Sequence, residues 1–303
     1  MVFELTILGS SSAMPTSQRY PSAHVLNAHE RFFLIDCGEG TQIQLRKYNI
    51  KYGRIHHIFI THLHGDHVFG LYGMLSSMNL SGRESPLSIY APAGFQNILI
   101  SHLSDFDIHL NYEIDFVPLM GKDPSGIYED KNISVVSFPL KHRVPTFGFL
   151  FREKERERNI IKEAISKYSI PVSEIHKIKK GSDFQTPDGK HIPNGEITID
   201  PPEPRSFAYC SDTMYFKRLS SFVRNVDLLY HEATFASDNK ELAKKTGHST
   251  AEQAAITARD AGAGKLIIGH FSARYKDVSC LLEEARKIFP DTVAAEEGSV
   301  ITV

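Results

Sequence analysis

The sequence predicts a layered α/β fold, in which two β-sheets pack together and helices cover their outer faces. Short apolar strand patterns alternate with amphipathic helix patterns along most of the chain, and both halves of the chain show this alternation. The chain has 303 residues, of which 41% are hydrophobic. That composition is sufficient for one large core or two modest ones.

Turns separate the short strands of the first half, and helices follow them. The strands are expected at residues 3–8, 31–36, 55–61, 87–91, 112–118, 132–138, 147–151, 206–210, 226–230, 265–269 and 299–302. The helices are expected at about 40–49, 67–80, 94–104, 214–222, 249–261 and 277–288. Ser249 and Glu252 have the spacing of a capping box at the start of helix 249–261, and Gly262 is a good helix stop.

Residues 152–200 interrupt this pattern. Charges of alternating sign run from Arg152 to Arg158 without an apolar face, and a Lys-rich run follows at 175–180. We therefore expect one domain over residues 1–303 with an inserted, protruding flexible arm at 152–200. Mixed charge is often only solvated surface, so this segment is either a solvated loop or an arm that grips a large anionic partner.

The bulk composition narrows the class of protein. No run of about 18 apolar residues is present, so no membrane span is expected, and the N-terminal residues lack a signal-peptide pattern. Cys37, Cys210 and Cys280 lie far apart, which is typical of core or incidental thiols in a reducing compartment. A net charge of −2 gives no global sign of nucleic-acid binding, so any RNA contact needs a local basic patch. We expect a cytoplasmic protein.

The most informative segment is Thr61-His62-Leu63-His64-Gly65-Asp66-His67, which directly follows an apolar strand pattern. Three imidazoles and one carboxylate at the end of a buried strand cost free energy unless something binds them. Both kinds of group are good ligands for zinc and its neighbours. We predict that His62 and His64 share one metal ion and that Asp66 and His67 face a second. The alternative is a His-rich solvated loop.

Four ligands in one loop cannot complete two metal sites, so the others must come from distant strand ends. His142, Asp212 and His270 each follow a predicted strand, as the first cluster does. Alone, His142 could be a surface residue and Asp212 a helix cap, but their shared position favours convergence at one rim of a sheet. The predicted sites are His62, His64 and His142 for one ion and Asp66, His67 and His270 for the other, with Asp212 as the bridge.

Glu232 and His248 form a second predicted polar group. Glu232 follows a predicted strand, and His248 stands at the start of the predicted helix 249–261. A charged histidine near a helix N-terminus is disfavoured, so it needs a carboxylate, which Glu232 could supply. His248 could then donate a proton to a departing oxygen. The alternative is that both residues are only structural.

At these residues the chain resembles a known family. Segment 61–67 is similar to the signature of the metallo-β-lactamase superfamily, and further segments are similar to the ribonuclease Z family of tRNA 3′-processing endonucleases. Those segments are 36–42, 139–143, 211–213, 231–235, 248–250 and 270–275. The resemblance runs in order from about residue 5 to the C-terminal residue.

The resemblance implies a metallo-β-lactamase αββα sandwich, two Zn²⁺ ions per subunit and a homodimer. It also implies a zinc-dependent endoribonuclease in which a metal-activated water cleaves precursor tRNA after the discriminator base. The tRNA would keep a 3′-hydroxyl, and the removed 3′ trailer would carry a 5′-phosphate. Imidazole and carboxylate sites also accept Mn²⁺ or Fe²⁺, so the choice of zinc follows from the resemblance alone.

The resemblance also implies roles for single side chains. Asp66 would assist the attacking water as general base, and Glu232 and His248 would act on the leaving 3′-oxygen. The arm would clamp a tRNA that is bound mainly by the other subunit. The residues expected to contact RNA are Lys141, Arg143, Lys177, Lys179, Lys180 and Arg274.

Two segments depart from the family pattern. The turn at Gly9–Ala13 has serines where the family often has Gly-Thr-Gly, and the arm segment Ser169–Ser173 keeps one proline but lacks glycines. The second departure affects arm geometry more than chemistry. Two other functions stay open at this point: a small-molecule hydrolase of the same fold, such as a lactonase or thioesterase, and a non-enzymatic RNA-binding protein.

Overall fold

The computed structural model describes all residues, 1–303, in two compact units. One unit comprises Met1–Arg152 and Arg205–Val303, and the other is Glu153–Pro204. None of the helices is both long enough and apolar enough to cross a membrane.

The first sheet of the larger unit has seven strands. They are β1 (Phe3–Gly9), β2 (Ala23–Ala28), β3 (Arg31–Cys37), β4 (Ile55–Phe59), β5 (Leu87–Pro92), β6 (Ile114–Leu119) and β18 (Val300–Thr302). Their order is β18-β1-β2-β3-β4-β5-β6, and the strands from β3 to β6 are parallel to one another.

The second sheet also has seven strands. They are β7 (Ser125–Glu129), β8 (Ile133–Pro139), β9 (Phe147–Glu153), β14 (Ser206–Cys210), β15 (Leu228–Glu232), β16 (Lys265–Gly269) and β17 (Thr292–Ala294). Their order is β17-β16-β15-β14-β9-β8-β7, and the strands from β14 to β17 are parallel. Parallel strands end at the same edge, so residues that follow β14, β15 and β16 lie near one another.

Helices cover the outer faces of both sheets. They are α1 (Thr41–Lys47), α2 (Gly65–Leu80) and α3 (Phe95–Asp105) on the first sheet, and α7 (Leu219–Phe222), α9 (Ala251–Ala261) and α10 (Ser279–Arg286) on the second, with α8 (Lys240–Thr246) preceding α9. Two short 3₁₀ helices occupy Tyr52–Arg54 and Ser237–Asn239.

The alternation of apolar residues along the strands explains the layers. Phe33 and Phe59 point inward and contact Phe151 of the second sheet. Leu34 and Ile58, one residue away, point outward into the separate core beneath the helices. The larger unit therefore has the predicted αββα architecture.

Some local predictions were wrong. The capping box uses Thr250 and Gln253, one residue later than predicted, although Gly262 ends the helix at φ 66° as expected. The predicted helix 214–222 is helical only at Leu219–Phe222. β15 continues through Glu232, so this residue ends the strand instead of following it. The sequence patterns also missed β2, β7, β17 and α8.

The smaller unit, Glu153–Pro204, has short elements and a core of its own. Its elements are β10 (Asn159–Ile160), α4 (Lys162–Lys167), α5 (Val172–Lys179), β11 (Phe184–Gln185), β12 (His191–Ile192), α6 (Asn194–Ile197) and β13 (Thr198–Ile199). Ile178, Phe184 and Ile197 are among its buried apolar residues. The Asn194 amide donates to two main-chain carbonyl oxygens, those of Ile178 and Ser182, each at 2.7 Å. The segment therefore has a packed core of its own.

Candidate metal centre

The ligand-type motif occupies the loop between β4 and α2. β4 ends at Phe59, and α2 begins at Gly65 with His64 as its extended N-cap residue (φ −76°, ψ 150°). His62 and His67 are buried, whereas His64 and Asp66 are half-buried. The end of a strand and the first turn of a helix thus hold the four side chains at one edge of the first sheet.

The first group of candidate ligands consists of three ring nitrogens. His62 Nε2 and His64 Nδ1 are 3.0 Å apart, and His142 Nε2 is 3.3 Å from His64 Nδ1. Ligand atoms on a tetrahedral ion are separated by about 3.3 Å when each is about 2.0–2.1 Å from the ion. The spacing of the three nitrogens therefore fits one divalent ion.

The second group has the same dimensions. Asp66 Oδ2 is 3.4 Å from both His67 Nε2 and His270 Nε2. The two nitrogens are 3.3 Å from each other. The three atoms form a nearly equilateral triangle that could hold a second ion.

The Asp212 carboxylate lies between the two groups. Its Oδ2 is 3.5 Å from His62 Nε2 and 3.7 Å from His142 Nε2. Its Oδ1 is 3.3 Å from His67 Nε2 and 3.1 Å from His270 Nε2. Each carboxylate oxygen thus faces a different group, which is the arrangement that a bridging ligand requires.

Hydrogen bonds on the far side of the rings set their orientation. His67 Nδ1 lies 2.8 Å from Asp36 Oδ2, and His142 Nδ1 lies 2.7 Å from the carbonyl oxygen of Gly247. Because each Nδ1–H donates outward, the neutral form of each ring presents the Nε2 lone pair to the cluster.

The electrostatics of the cluster fit a bound cation. Burial opposes the charged form of Asp212, but His270 and His67 outweigh burial and hold the pKa of Asp212 well below its usual range. Burial likewise opposes a charged His67, but Asp66, Asp36 and Asp212 raise the pKa of its ring. These carboxylates need positive charge close by, and a divalent ion among imidazole and carboxylate donors supplies it. The donor set therefore fits divalent metal ions.

The turn before β2 also contributes to the site. The Ala13 backbone N–H donates to Asp66 Oδ2 at 2.7 Å. Ala13 has a φ of 60°, in the left-handed region that non-glycine residues rarely adopt. The serine-containing turn at Gly9–Ala13 thus holds Asp66 in place.

Glu232 and His248 form a buried pair beside the metal cluster. His248 Nδ1 is 2.9 Å from Glu232 Oε1, and Glu232 Oε2 accepts hydrogen bonds from the N–H and hydroxyl of Thr234 at 3.0 and 2.7 Å. Burial alone would lower the pKa of His248, but Glu232 and Asp212 outweigh it and raise that pKa to about 9. His248 therefore carries a proton at neutral pH.

A cavity of about 470 Å³ opens onto these groups. His64, Asp66, His142, Asp212, His248 and His270 all contribute to its wall. Phe69, Arg143 and Thr246 lie at other points of the wall, and Arg143 Nε donates to the carbonyl oxygen of Thr246 at 3.1 Å.

Known proteins with similar sequences identify the family. Ribonuclease Z of Bacteroides thetaiotaomicron is 47% identical over 301 residues, which cover 99% of this chain and 95% of the relative. Ribonuclease Z of Porphyromonas gingivalis strain W83 is 45% identical over 295 residues, which cover 97% of each chain. This chain belongs to the ribonuclease Z family.

One solved structure is also a tRNase Z, whereas the other matches show the fold or cover part of this chain. The short form of human tRNase Z superimposes with a TM-score of 0.72 at 27% identity, over 98% of each chain. The metallo-β-lactamase fold protein YhfI of Bacillus subtilis superimposes with a TM-score of 0.70 at 17% identity, which shows the fold alone. A family model for the beta-lactamase superfamily domain matches residues 169–271, and one for the anti-Pycsar protein Apyc1 matches residues 3–107.

The structure of this ribonuclease Z family member brings the predicted catalytic and metal-ligating side chains together. They are His62, His64, Asp66, His67, His142, Asp212, Glu232, His248 and His270. The sequence argument gave no role to Asp36 or Ala13. Asp36 lies near the end of β3, beside β4, so the strand-end pattern that selected the other residues could have selected it too. The sequence contains no such pattern for Ala13, because Ala13 acts through its backbone N–H.

The predicted RNA-contacting residues are dispersed. Arg143 lines the metal-centre cavity, whereas Arg274 lies outside its wall and donates to Asn239 Oδ1 at 3.3 Å. In the smaller unit, Lys177 Nζ is 3.0 Å from a Glu174 oxygen. Lys179, in the same unit, lies 3.6 Å from Glu157, and Lys180 is exposed. Their contacts with RNA stay predictions.

Proposed function

We propose that this chain is a metal-dependent endoribonuclease that removes the 3′ trailer from precursor tRNA. The cut falls after the discriminator base and leaves a 3′-hydroxyl on the tRNA and a 5′-phosphate on the trailer. The observation that carries the proposal is the position of the Asp212 carboxylate, whose two oxygens face different ligand groups. The chain also matches ribonuclease Z relatives over 99% of its length.

We assign two Zn²⁺ ions to the two ligand groups. His62, His64 and His142 would hold the first ion, Asp66, His67 and His270 would hold the second, and Asp212 would offer one carboxylate oxygen to each group. Nitrogen-rich sites with carboxylates suit zinc, although Mn²⁺ and Fe²⁺ accept the same donors. When bound, such a pair of ions activates water and stabilises the charge that develops on a phosphodiester.

Asp66 is proposed to accept a proton from the attacking water. The Ala13 N–H donates to Asp66 Oδ2, which is also the oxygen that faces His270 Nε2, so Oδ1 stays available. His67 is the main group that favours the ionised form of Asp66 and lowers its pKa against the effect of burial. The ionised carboxylate can therefore receive a proton through Oδ1.

His248 is proposed to protonate the leaving 3′-oxygen. Its Nδ1–H is engaged by Glu232 Oε1 at 2.9 Å, which leaves the Nε2–H free to donate. The raised pKa keeps this proton on the ring at neutral pH. Glu232, held by the backbone N–H groups of Thr213 and Thr234, orients the ring and keeps it charged.

The smaller unit is proposed to act as the tRNA-binding arm of a homodimer. Each subunit would present Glu153–Pro204 to a tRNA whose cleavage site lies in the other subunit. The unit has nine Lys and Arg residues against ten Asp and Glu residues, so its net charge does not attract RNA. Binding would therefore depend on single basic side chains, those of Lys177, Lys179 and Lys180. The precursor tRNA substrate supports a cytoplasmic location.

Mixed dimers test the arm and the dimer together. A variant that lacks residues 153–204 and a separate Asp212→Ala variant are each expected to be inactive on precursor tRNA. When the two are co-refolded, a dimer with one intact arm and one intact metal centre should recover about half of the wild-type activity per dimer, which is the full activity of its single intact centre. No recovery from confirmed mixed dimers would contradict clamping across subunits.

An end-mapped cleavage assay tests the function itself. A precursor tRNA with a 3′ trailer is incubated with the enzyme, with chelator, and with chelator followed by Zn²⁺. We expect a single cut after the discriminator base that chelator abolishes and metal restores. An intact precursor with metal bound, together with turnover of a lactone or thioester, would instead favour the small-molecule hydrolase.

A further inference from the structure

A second pocket adjoins the metal centre at His248. Its volume is about 290 Å³, and three lysines, Lys141, Lys240 and Lys244, lie in its wall. The other side chains of the wall are Met214, Tyr215, Glu241, His248 and Gln253. Because His248 also lines the metal-centre cavity, a polymer that passes His248 can occupy both. We call this space the lysine pocket.

The charges of the lysine pocket suit an anion. Glu241 is the single carboxylate in its wall, and none of the three lysines forms an ion pair. Lys240 and Lys244 are four residues apart on α8, a spacing at which like charges repel. An anion between them would remove that repulsion.

The loops that carry the metal ligands also build the lysine pocket. The backbone N–H of Lys141 donates to Thr213 Oγ1 at 3.1 Å, and the N–H of Met214 donates to the carbonyl oxygen of Lys141 at 2.7 Å. His142 and Asp212 are the neighbours of Lys141 and Thr213 in sequence. The position of the Lys141 backbone relative to the metal centre is therefore fixed.

We propose that the lysine pocket binds the RNA phosphate on the 5′ side of the last tRNA nucleotide. The inference rests on the proposed function, in which His248 faces the 3′-oxygen of that nucleotide. Because His248 lines both cavities, a tRNA strand whose 3′-oxygen lies at His248 can continue from the metal centre into the lysine pocket. Lysines bind phosphate as point charges, and such contacts set the register of the strand without reading its sequence.

Two lysine substitutions with a control on the same helix test the pocket. Lys240→Ala and Lys244→Ala should each raise KM for precursor tRNA several-fold and leave kcat nearly unchanged. Each should reduce the slope of log kcat/KM against log salt by about 0.7–0.9. Lys245→Ala is the control, because Lys245 is exposed on α8 but lies outside the pocket wall. Turnover of a small chromogenic phosphodiester should be unchanged in all three variants, which also reports correct folding.

A neutral linkage in the substrate locates the phosphate. Precursors carry a single methylphosphonate either 5′ of the last tRNA nucleotide or within the trailer. We expect the first substitution to weaken binding to the wild-type enzyme and to have no further effect on the Lys240→Ala/Lys244→Ala variant. The proposal would be overturned if the methylphosphonate 5′ of the last tRNA nucleotide weakened binding equally in the wild-type enzyme and the double variant. It would also be overturned if the trailer methylphosphonate, instead, weakened binding to the wild-type enzyme and had no further effect on the double variant. Failure of the proposed function is a separate outcome, since the wild-type enzyme would then leave the unmodified precursor uncut.

Discussion

Asp36 Oδ2 lies 2.8 Å from His67 Nδ1 beneath the metal centre, where both side chains are fully buried. The Asp36 backbone has a φ of 56°, and its Oδ1 accepts the backbone N–H of Thr61 at 2.8 Å. The Tyr209 hydroxyl lies 3.3 Å from Asp36 Oδ2. Asp36 therefore connects the ends of β3 and β4 with the second sheet and fixes the His67 ring.

Asp36→Asn should weaken metal binding about 10- to 100-fold, because the outer partner of a ligating histidine sets its tautomer and orientation. The asparagine keeps the shape of the side chain but loses the charge that His67 Nδ1–H faces. Competition with a chromogenic chelator measures the affinity, and kcat/KM on precursor tRNA should fall in parallel at limiting metal. Asp115→Asn, at an exposed position of β6, is the control. A folded Asp36→Asn protein with wild-type affinity would show that Asp36 supports only the fold.

His248→Asn and Glu232→Gln should lower kcat on precursor tRNA by about 10²- to 10⁴-fold, the range that general acid catalysis contributes. The same variants should lose much less activity on a nitrophenyl phosphodiester, because nitrophenolate departs without receiving a proton. Metal content should stay at the wild-type level in both variants.

The comparison of the two substrates separates proton transfer from positioning. Equal losses on both substrates would mean that His248 and Glu232 orient the metal centre and do not protonate the leaving oxygen. His109→Asn serves as control, because the His109 side chain is 88% exposed.

Two glycines of α2 should respond in opposite ways to alanine. A Cβ at Gly70 would lie 1.9 Å from the carbonyl oxygen of Gly38, so the helix cannot stay close to the loop after β3. Gly70→Ala should lower the free energy of unfolding by about 1–3 kcal/mol. A Cβ at Gly73 meets only the flexible Gln42 side chain, at 3.3 Å, so Gly73→Ala should be neutral or stabilise by up to about 1 kcal/mol. Urea denaturation measures both, and similar effects at the two sites would contradict the close approach.

The metal ligands could be predicted from the sequence because their signal is local. His62, His64, Asp66 and His67 lie within six residues, and His142, Asp212 and His270 each follow a run of apolar strand residues. Parallel strands end at one edge of a sheet, so residues that follow such strands in the sequence could be predicted to lie close together in the fold. The αββα layers follow equally well from the periodicity of the strands.

The missed features depend on tertiary contacts that leave no pattern in the chain. β2 contains the polar residues His24 and Asn27, and its pairing with β1 and β3 compensates for its weak strand pattern. Ala13 acts through its backbone N–H. The capping box moved by one residue because Ser249 Oγ instead donates to the carbonyl oxygen of Thr213, 36 residues away.

His24 is a buried histidine that no polar group satisfies. Its ring lies between Tyr209 and Tyr230, with ring centres 5.0 and 4.6 Å away, and neither ring nitrogen has a hydrogen-bond partner. Burial, with smaller contributions from His67 and His270, lowers the pKa of His24 to about 3. In the unfolded chain this pKa returns to about 6.5.

Acid should therefore destabilise the protein through His24. Between about pH 6.5 and pH 3 the unfolded chain binds a proton at this residue that the folded chain does not. The free energy of unfolding then falls with decreasing pH by up to about 1.4 kcal/mol per pH unit. Above pH 6.5 this contribution is constant. His24→Leu should make the slope between pH 6.5 and pH 4.5 shallower than in wild type and in a His109→Leu control. Urea denaturation with chelator in every sample measures the slope without metal release, and an unchanged slope would show that His24 already titrates normally in the folded state.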